Sequence, residues 1–156
     1  DRFAMKISLG YADRASELEL MARQDYGSIL ANLPAAFDTA VFRGIIAAAR
    51  AVSVQSSLRG YVADLLEATR NHNDLRLGVS TRGTLILLGV ARAYALAGGR
   101  GFVTPDDIKV LALPVLAHRV AVTADAEIDG LTGADLLRQI LDRVPVPRTR
   151  SMPDDE

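Results

Sequence analysis

Apolar residues recur at every third or fourth position over most of this chain, the signature of amphipathic helices packed on one another. From Asp38, the positions Val41, Phe42, Ile45, Ile46 and Ala49 fall on one helical stripe that fades at Val52-Ser53-Val54. Ser56 then predicts the cap of another helix, with Leu58, Tyr61, Val62, Leu65, Leu66 and Thr69 on one side. The polar run Asn71-His72-Asn73-Asp74 ends it. The next helix, from about Ser80 to Ala97, is apolar nearly all round between Leu85 and Ala91, which predicts the central element of a bundle. Gly98-Gly99 supplies a left-handed stop, and Thr104-Pro105-Asp106-Asp107 combines an N-cap hydroxyl, a first-turn proline and first-turn acids. That helix carries Ile108, Leu111 and Leu116 and is expected to kink or end at Pro114. Val120 and Val122 suit a short extended piece, and Thr132 caps a last helix with Leu136, Leu137, Ile140 and Leu141 inward.

The beginning follows a different rhythm. Phe3, Met5, Ile7 and Leu9 alternate with Ala4, Lys6 and Ser8, the two-residue period of a strand. One strand is not stable without neighbours, so its partners lie elsewhere in a longer chain or the segment packs irregularly. Asp13 caps a helix running to about Asp25, with Leu18, Leu20 and Met21 inward, and Tyr26 to Pro34 reads as a connection. Pro145, Pro147 and Pro153 in a polar tail ending at Glu156 predict disorder. The expected fold is therefore mainly α: a bundle of five or six helices preceded by one short strand.

Composition narrows the function. The 156 residues suit one ordinary domain, or one with the remnant of another. The absence of Cys removes disulfides, thiolate metal sites and thiol catalysis. A formal net charge of −1 gives no general attraction to nucleic acid. The longest apolar run, Leu85 to Ala91, is far shorter than the ~18 residues of a membrane span. With no secretory leader pattern, a cytoplasmic location is expected.

Candidate chemistry centres on Ser80-Thr81-Arg82-Gly83. A guanidinium in the first turn of a long helix, beside N–H groups without intrahelical partners, can converge with them on a phosphate. Gly83 would leave room for close approach. Asp106 and Asp107 read as capping acids, His72 and His118 lack an acidic cluster to form a metal site, and Ser80 has no histidine partner to make it a nucleophile. No Gly-x-x-x-x-Gly-Lys-[Ser/Thr] string is present, and no strand ends in paired acids that would hold Mg²⁺.

Gly78-Val79-Ser80-Thr81-Arg82-Gly83-Thr84-Leu85 resembles the Gly-Ala-Ser-Pro-Arg-Ala-Ser-Leu pattern of MoxR-type AAA+ ATPases, with Thr81 where proline is common. Phe102-Val103-Thr104-Pro105-Asp106-Asp107 and Pro114-Val115-Leu116-Ala117-His118-Arg119 resemble that family's Tyr/Phe-Val-Thr-Pro-Asp-Asp and Pro-Val-Leu-x-His-Arg. Asp1-Arg2-Phe3, Gly10-Tyr11-Ala12-Asp13 and Val144-Pro145-Val146-Pro147 extend the likeness to both ends.

The resemblance implies that residues 1–34 are the last strand and helix of an ATPase core, 35–146 a helical lid domain and 147–156 a disordered tail. It makes Arg82 the sensor-2 arginine reaching the γ-phosphate, with Ser80 and Thr81 beside it, and Arg2 a candidate arginine finger. ATP and Mg²⁺ would be used by the full-length protein, and neither cofactor nor turnover is expected of these 156 residues alone. The implied partners are the N-terminal ATPase core, further copies in a homo-oligomeric, hexameric ring, von Willebrand factor A-type proteins and client complexes matured by chaperone-like action or metal insertion. Neither nucleic acid nor a membrane span is expected. The alternative is a free-standing helical interaction or DNA-binding module, with the Thr104–Arg119 helix placed as in a helix-turn-helix.

Overall fold

The computed structural model describes residues 2–24 and 33–147. They fall into two compact units: the described residues of Asp1–Lys6 with those of Ala47–Glu156, and those of Ile7–Ile46. In chain order the elements are α1 (Arg14–Gln24), α2 (Thr39–Ala51), α3 (Ser56–Arg70), β1 (Leu75–Leu77), α4 (Thr81–Ala97), α5 (Pro105–Leu116), a 3₁₀ turn (Ala117–Arg119), β2 (Ala121–Val122), α6 (Ala124–Ile128) and α7 (Gly133–Arg143). The mainly α expectation holds. The connection expected over 26–34 lies largely, and the tail from 148 entirely, outside the described residues.

In the larger unit, α3 turns Leu58, Tyr61, Val62, Leu65, Leu66 and Thr69 inward, the six positions its periodicity marks. They meet Leu87, Ala91 and Ala95 of α4, Ile108, Leu111, Ala112, Val115 and Leu116 of α5, and Leu136, Leu137 and Ile140 of α7 in a single core. Helices α4 and α5 make the most extensive pairing. Their connection is closed by a Schellman stop, in which Gly99 takes φ 70°, the Arg100 N–H reaches the Ala95 carbonyl and the Gly99 N–H that of Leu96. Thr104 and Asp107 then form a complete capping box. Asp107 also receives two 2.7 Å hydrogen bonds from the Arg100 guanidinium, which with the cap bonds holds its carboxyl below the usual carboxylate range. Thr132 and Asp135 build the same box at α7.

Several expectations require correction. The strand over Phe3–Leu9 is not formed; this segment is irregular, and the Lys6 N–H donates to the Pro114 carbonyl at 2.8 Å. A lone strand has no ladder to join, so irregular packing is the physical outcome. Helix α4 is not enclosed all round: Leu87 is fully buried but Leu85 is 68% exposed. The N-cap of α3 is Gln55, not Ser56, and no side chain caps it. Pro114 does not end its helix, which continues to Leu116. Antiparallel pairing of Leu75 with Val122 and Leu77 with Ala121 was not foreseen, nor was the short α6, capped by Thr123.

In the smaller unit, Asp13 caps α1 through the Ser16 N–H at 2.7 Å, as its sequence suggests. Leu18, Leu20 and Met21 are exposed, contrary to expectation. Asp38 caps α2 through the Val41 N–H at 2.8 Å, and Phe37 stacks on Phe42 with ring centroids 6.0 Å apart.

Candidate functional site

The segment before α4 is fixed to the end of α3. The Val79 N–H donates to Thr69 Oγ1 at 3.0 Å, and Arg70 Nε donates to the Val79 carbonyl at 2.9 Å. The Thr69 hydroxyl proton is itself given to the Leu66 carbonyl at 2.7 Å. Gly78 approaches so closely that a Cβ there would lie 2.7 Å from the Arg70 Cα and the Thr69 carbonyl oxygen. Glycine at 78 is therefore a packing requirement set by backbone that cannot swing away.

Ser80 follows in extended conformation as the N-cap of α4. Its carbonyl accepts from Gly83 and Thr84 at 2.8 and 3.3 Å, and its hydroxyl accepts from the Gly83 N–H at 3.4 Å. The Thr81 and Arg82 N–H groups carry no hydrogen bond among the described residues, as expected at the open end of a helix. Ser80, Thr81 and Arg82 are all exposed, and no ion pair engages Arg82 within the described residues. One exposed guanidinium and two free N–H groups thus share the start of a 17-residue helix. That arrangement favours an anion through both donors and dipole.

Gly83 is part of the packing at this turn. It is buried, and an added Cβ would meet Val79 Cγ1 at 2.6 Å, Arg119 Cδ at 3.5 Å and Leu116 Cδ2 at 3.7 Å. Its missing side chain makes room for Val79, while Arg119 and Leu116 lie at ordinary contact distance. Arg119 extends from this contact, donating through Nε to the Val115 carbonyl at 2.9 Å and through Nη2 to the Phe3 carbonyl. Arg2, the residue before Phe3, is exposed with no ion pair among the described residues. Burial, with Arg119 nearby, lowers the pKa of His118. Sequence reasoning missed Thr69, Arg70 and Arg119; the traceable signal was a threonine on the apolar face of α3, nine residues before a glycine.

Among the described residues no group of His, Cys, Asp and Glu is placed to hold a metal ion, and no helix is long and apolar enough to cross a membrane. Lys109 is the one basic residue of α5, against Asp106 and Asp107, which removes the charge pattern a DNA-reading helix needs.

Residues 67–140, from the last turn of α3 to α7, match the family described as the AAA lid domain. The uncharacterized protein YeaC of Bacillus subtilis is 32% identical over 151 residues, covering 97% of this chain and 47% of that protein. Chaperone MoxR1 of Mycobacterium tuberculosis is 28% identical over 162 residues, covering 98% and 42%. The chain belongs to the MoxR-type AAA+ family. A solved structure from Cytophaga hutchinsonii, of a protein assigned as an ATPase, superposes with a TM-score of 0.72 at 30% identity, over 94% of this chain and 47% of that one. The chain spans about half the length of these relatives or less.

Proposed function

We propose that this chain is the lid-bearing part of a longer ATP-hydrolysing machine, and that Arg82 is its sensor-2 residue, reading the γ-phosphate. The observation that carries the reading is the open start of α4: an exposed, unpaired Arg82 beside the free N–H groups of Thr81 and Arg82, backed by the Ser80 cap. These donors suit a terminal phosphate in charge and geometry. Residues 1–34 are assigned to the end of the ATPase core, 35–146 to the lid and 147–156 to a tail. ATP and Mg²⁺ belong to the full-length protein, which works in the cytoplasm as a hexameric homo-oligomeric ring. Its partners are von Willebrand factor A-type proteins and client complexes that it matures or supplies with metal. Arg2 acts as an arginine finger toward a neighbouring subunit's nucleotide.

The test is Arg82→Ala in the full-length ATPase. Losing a charge-assisted bond to phosphate costs ~1.5–3 kcal/mol, or about one to two decades in affinity or rate. A surface arginine without that role changes stability by ~0–1 kcal/mol and leaves turnover alone. Steady-state hydrolysis and thermal melting of the same preparation separate the two. Normal turnover by Arg82→Ala overturns the assignment. Mixing Arg82→Ala subunits with subunits defective in the P-loop tells whether Arg82 serves its own subunit's nucleotide or a neighbour's.

A further inference from the structure

We infer that Thr69 is a positioning residue for nucleotide sensing: through the Val79 peptide it fixes where the first turn of α4 points Arg82. This rests on the sensor-2 reading and adds the device that makes Arg82 precise. Thr69 is on α3, thirteen residues before Arg82, and has no route to a phosphate of its own, being 1% exposed. Its hydroxyl proton is committed to the Leu66 carbonyl, so its oxygen presents a lone pair in one fixed direction, toward the Val79 N–H.

Val79 is as deeply buried as Thr69, at 1%, so water cannot replace that bond. On its other side the same residue is held by Arg70 Nε, and the preceding glycine lies flat on the backbone of Thr69 and Arg70. The next residue, Ser80, is the cap. Any rotation of the Val79 peptide is therefore passed directly to the cap and to the Thr81 and Arg82 N–H groups. A guanidinium on a long side chain gains selectivity for one phosphate oxygen only if its backbone is held this firmly, since sub-ångström misplacement weakens charge-assisted bonds steeply.

The test uses the full-length ATPase and compares the affinity for a non-hydrolysable ATP analogue with that for ADP, by titration calorimetry. Thr69→Val keeps shape and burial but removes the acceptor. It is expected to lower the ATP-over-ADP preference about three- to tenfold, in line with one lost buried hydrogen bond. Thr69→Ser should restore it. Arg70→Met, which removes only the bond to the Val79 carbonyl, should lower the preference about two- to threefold and remains informative if Thr69→Val fails to fold. Arg82→Ala is run alongside. If it abolishes the preference while Thr69→Val and Arg70→Met leave it intact, even with a lower melting temperature, Thr69 is merely structural and this proposal falls while the sensor-2 reading stands. If Arg82→Ala itself keeps the preference, the sensor-2 reading fails and takes the proposal with it.

Discussion

Helices α2 and α3 both carry an apolar residue at every third or fourth position, yet α3 buries six residues and α2 none. Val41, Phe42, Ile45 and Ile46 form as clean a stripe as Leu58, Val62, Leu65 and Leu66, and all four remain at least 39% exposed. The difference is in what each stripe faces. Helix α3 packs on α4 and α7, whereas the stripe of α2 stays exposed. Periodicity tells which side of a helix is meant for a core, because it reflects selection on the side chains. It cannot tell whether the matching surface is within the same 156 residues. Leu18, Leu20 and Met21 of α1 repeat the lesson. On the proposed reading, the other half of the ATPase supplies the missing surface.

The largest effect that could break this comparison comes from placing a carboxylate on each kind of surface. Leu87→Asp buries an unpaired charge at a position with no exposure, costing several kcal/mol against the ~5–15 kcal/mol that a domain has in total. The expected outcome is loss of the cooperative melt followed by circular dichroism. Leu85→Asp and Ile45→Asp, at 68% and 45% exposure, should shift stability by no more than ~1 kcal/mol. An Ile45→Asp variant that unfolds the chain would mean that α2 belongs to the core after all.

Leu85 also marks how far the sequence could be read. Its neighbours Ile86, Leu87 and Leu88 are equally apolar, so a continuous run gave no phase, and only packing selected Leu87 as the fully buried one. Caps were far more legible, because Asp13, Ser80, Thr104 and Thr132 act on N–H groups three residues away. Leu75 and Val122 pair across 46 intervening positions in strands of three and two residues, too short to show a period. The Arg82 turn was visible as a local motif, but its support was not. Thr69 and Gly78 declare themselves only when α3 and the turn lie together. The packing around Gly83 was hidden for the same reason, its neighbours Leu116 and Arg119 being more than thirty residues away.

An intermediate effect tests whether the larger unit owes stability to charge as well as burial. Asp107 has its pKa lowered chiefly by the Arg100 hydrogen bonds; burial opposes them less strongly, and the capping bonds lower it further. A carboxyl with a folded pKa below its ordinary value of 3.8 stabilises fully above that value and loses its contribution as pH falls through the folded pKa. Asp107→Asn should cost about 1–3 kcal/mol at neutral pH. It should also flatten the fall in stability expected of the parent below about pH 4. Urea melts at pH 7, 4 and 2.5 measure both. An unchanged acid limb in Asp107→Asn would show that the Arg100–Asp107 pair is not what the larger unit loses in acid.

The smallest effect is the sharpest, because it removes the same kind of bond from the two kinds of helix. Thr132 accepts from the Asp135 N–H at the start of α7, and Asp38 accepts from the Val41 N–H at the start of α2. Replacing an N-cap by alanine costs about 0.5–2 kcal/mol of helix stability wherever it occurs. Global stability registers that cost only if the helix must form for the core to form. Helix α7 buries Leu136, Leu137 and Ile140, so Thr132→Ala should lower the urea midpoint by the full amount. Helix α2 buries nothing, so Asp38→Ala should leave the midpoint in place and only raise amide exchange across α2, the mark of local opening. In the full-length ATPase, where the proposed reading has the stripe of α2 covered, Asp38→Ala should become as costly as Thr132→Ala. A midpoint insensitive to Asp38→Ala in both contexts would mean that nothing packs on α2, and its stripe would need a different explanation.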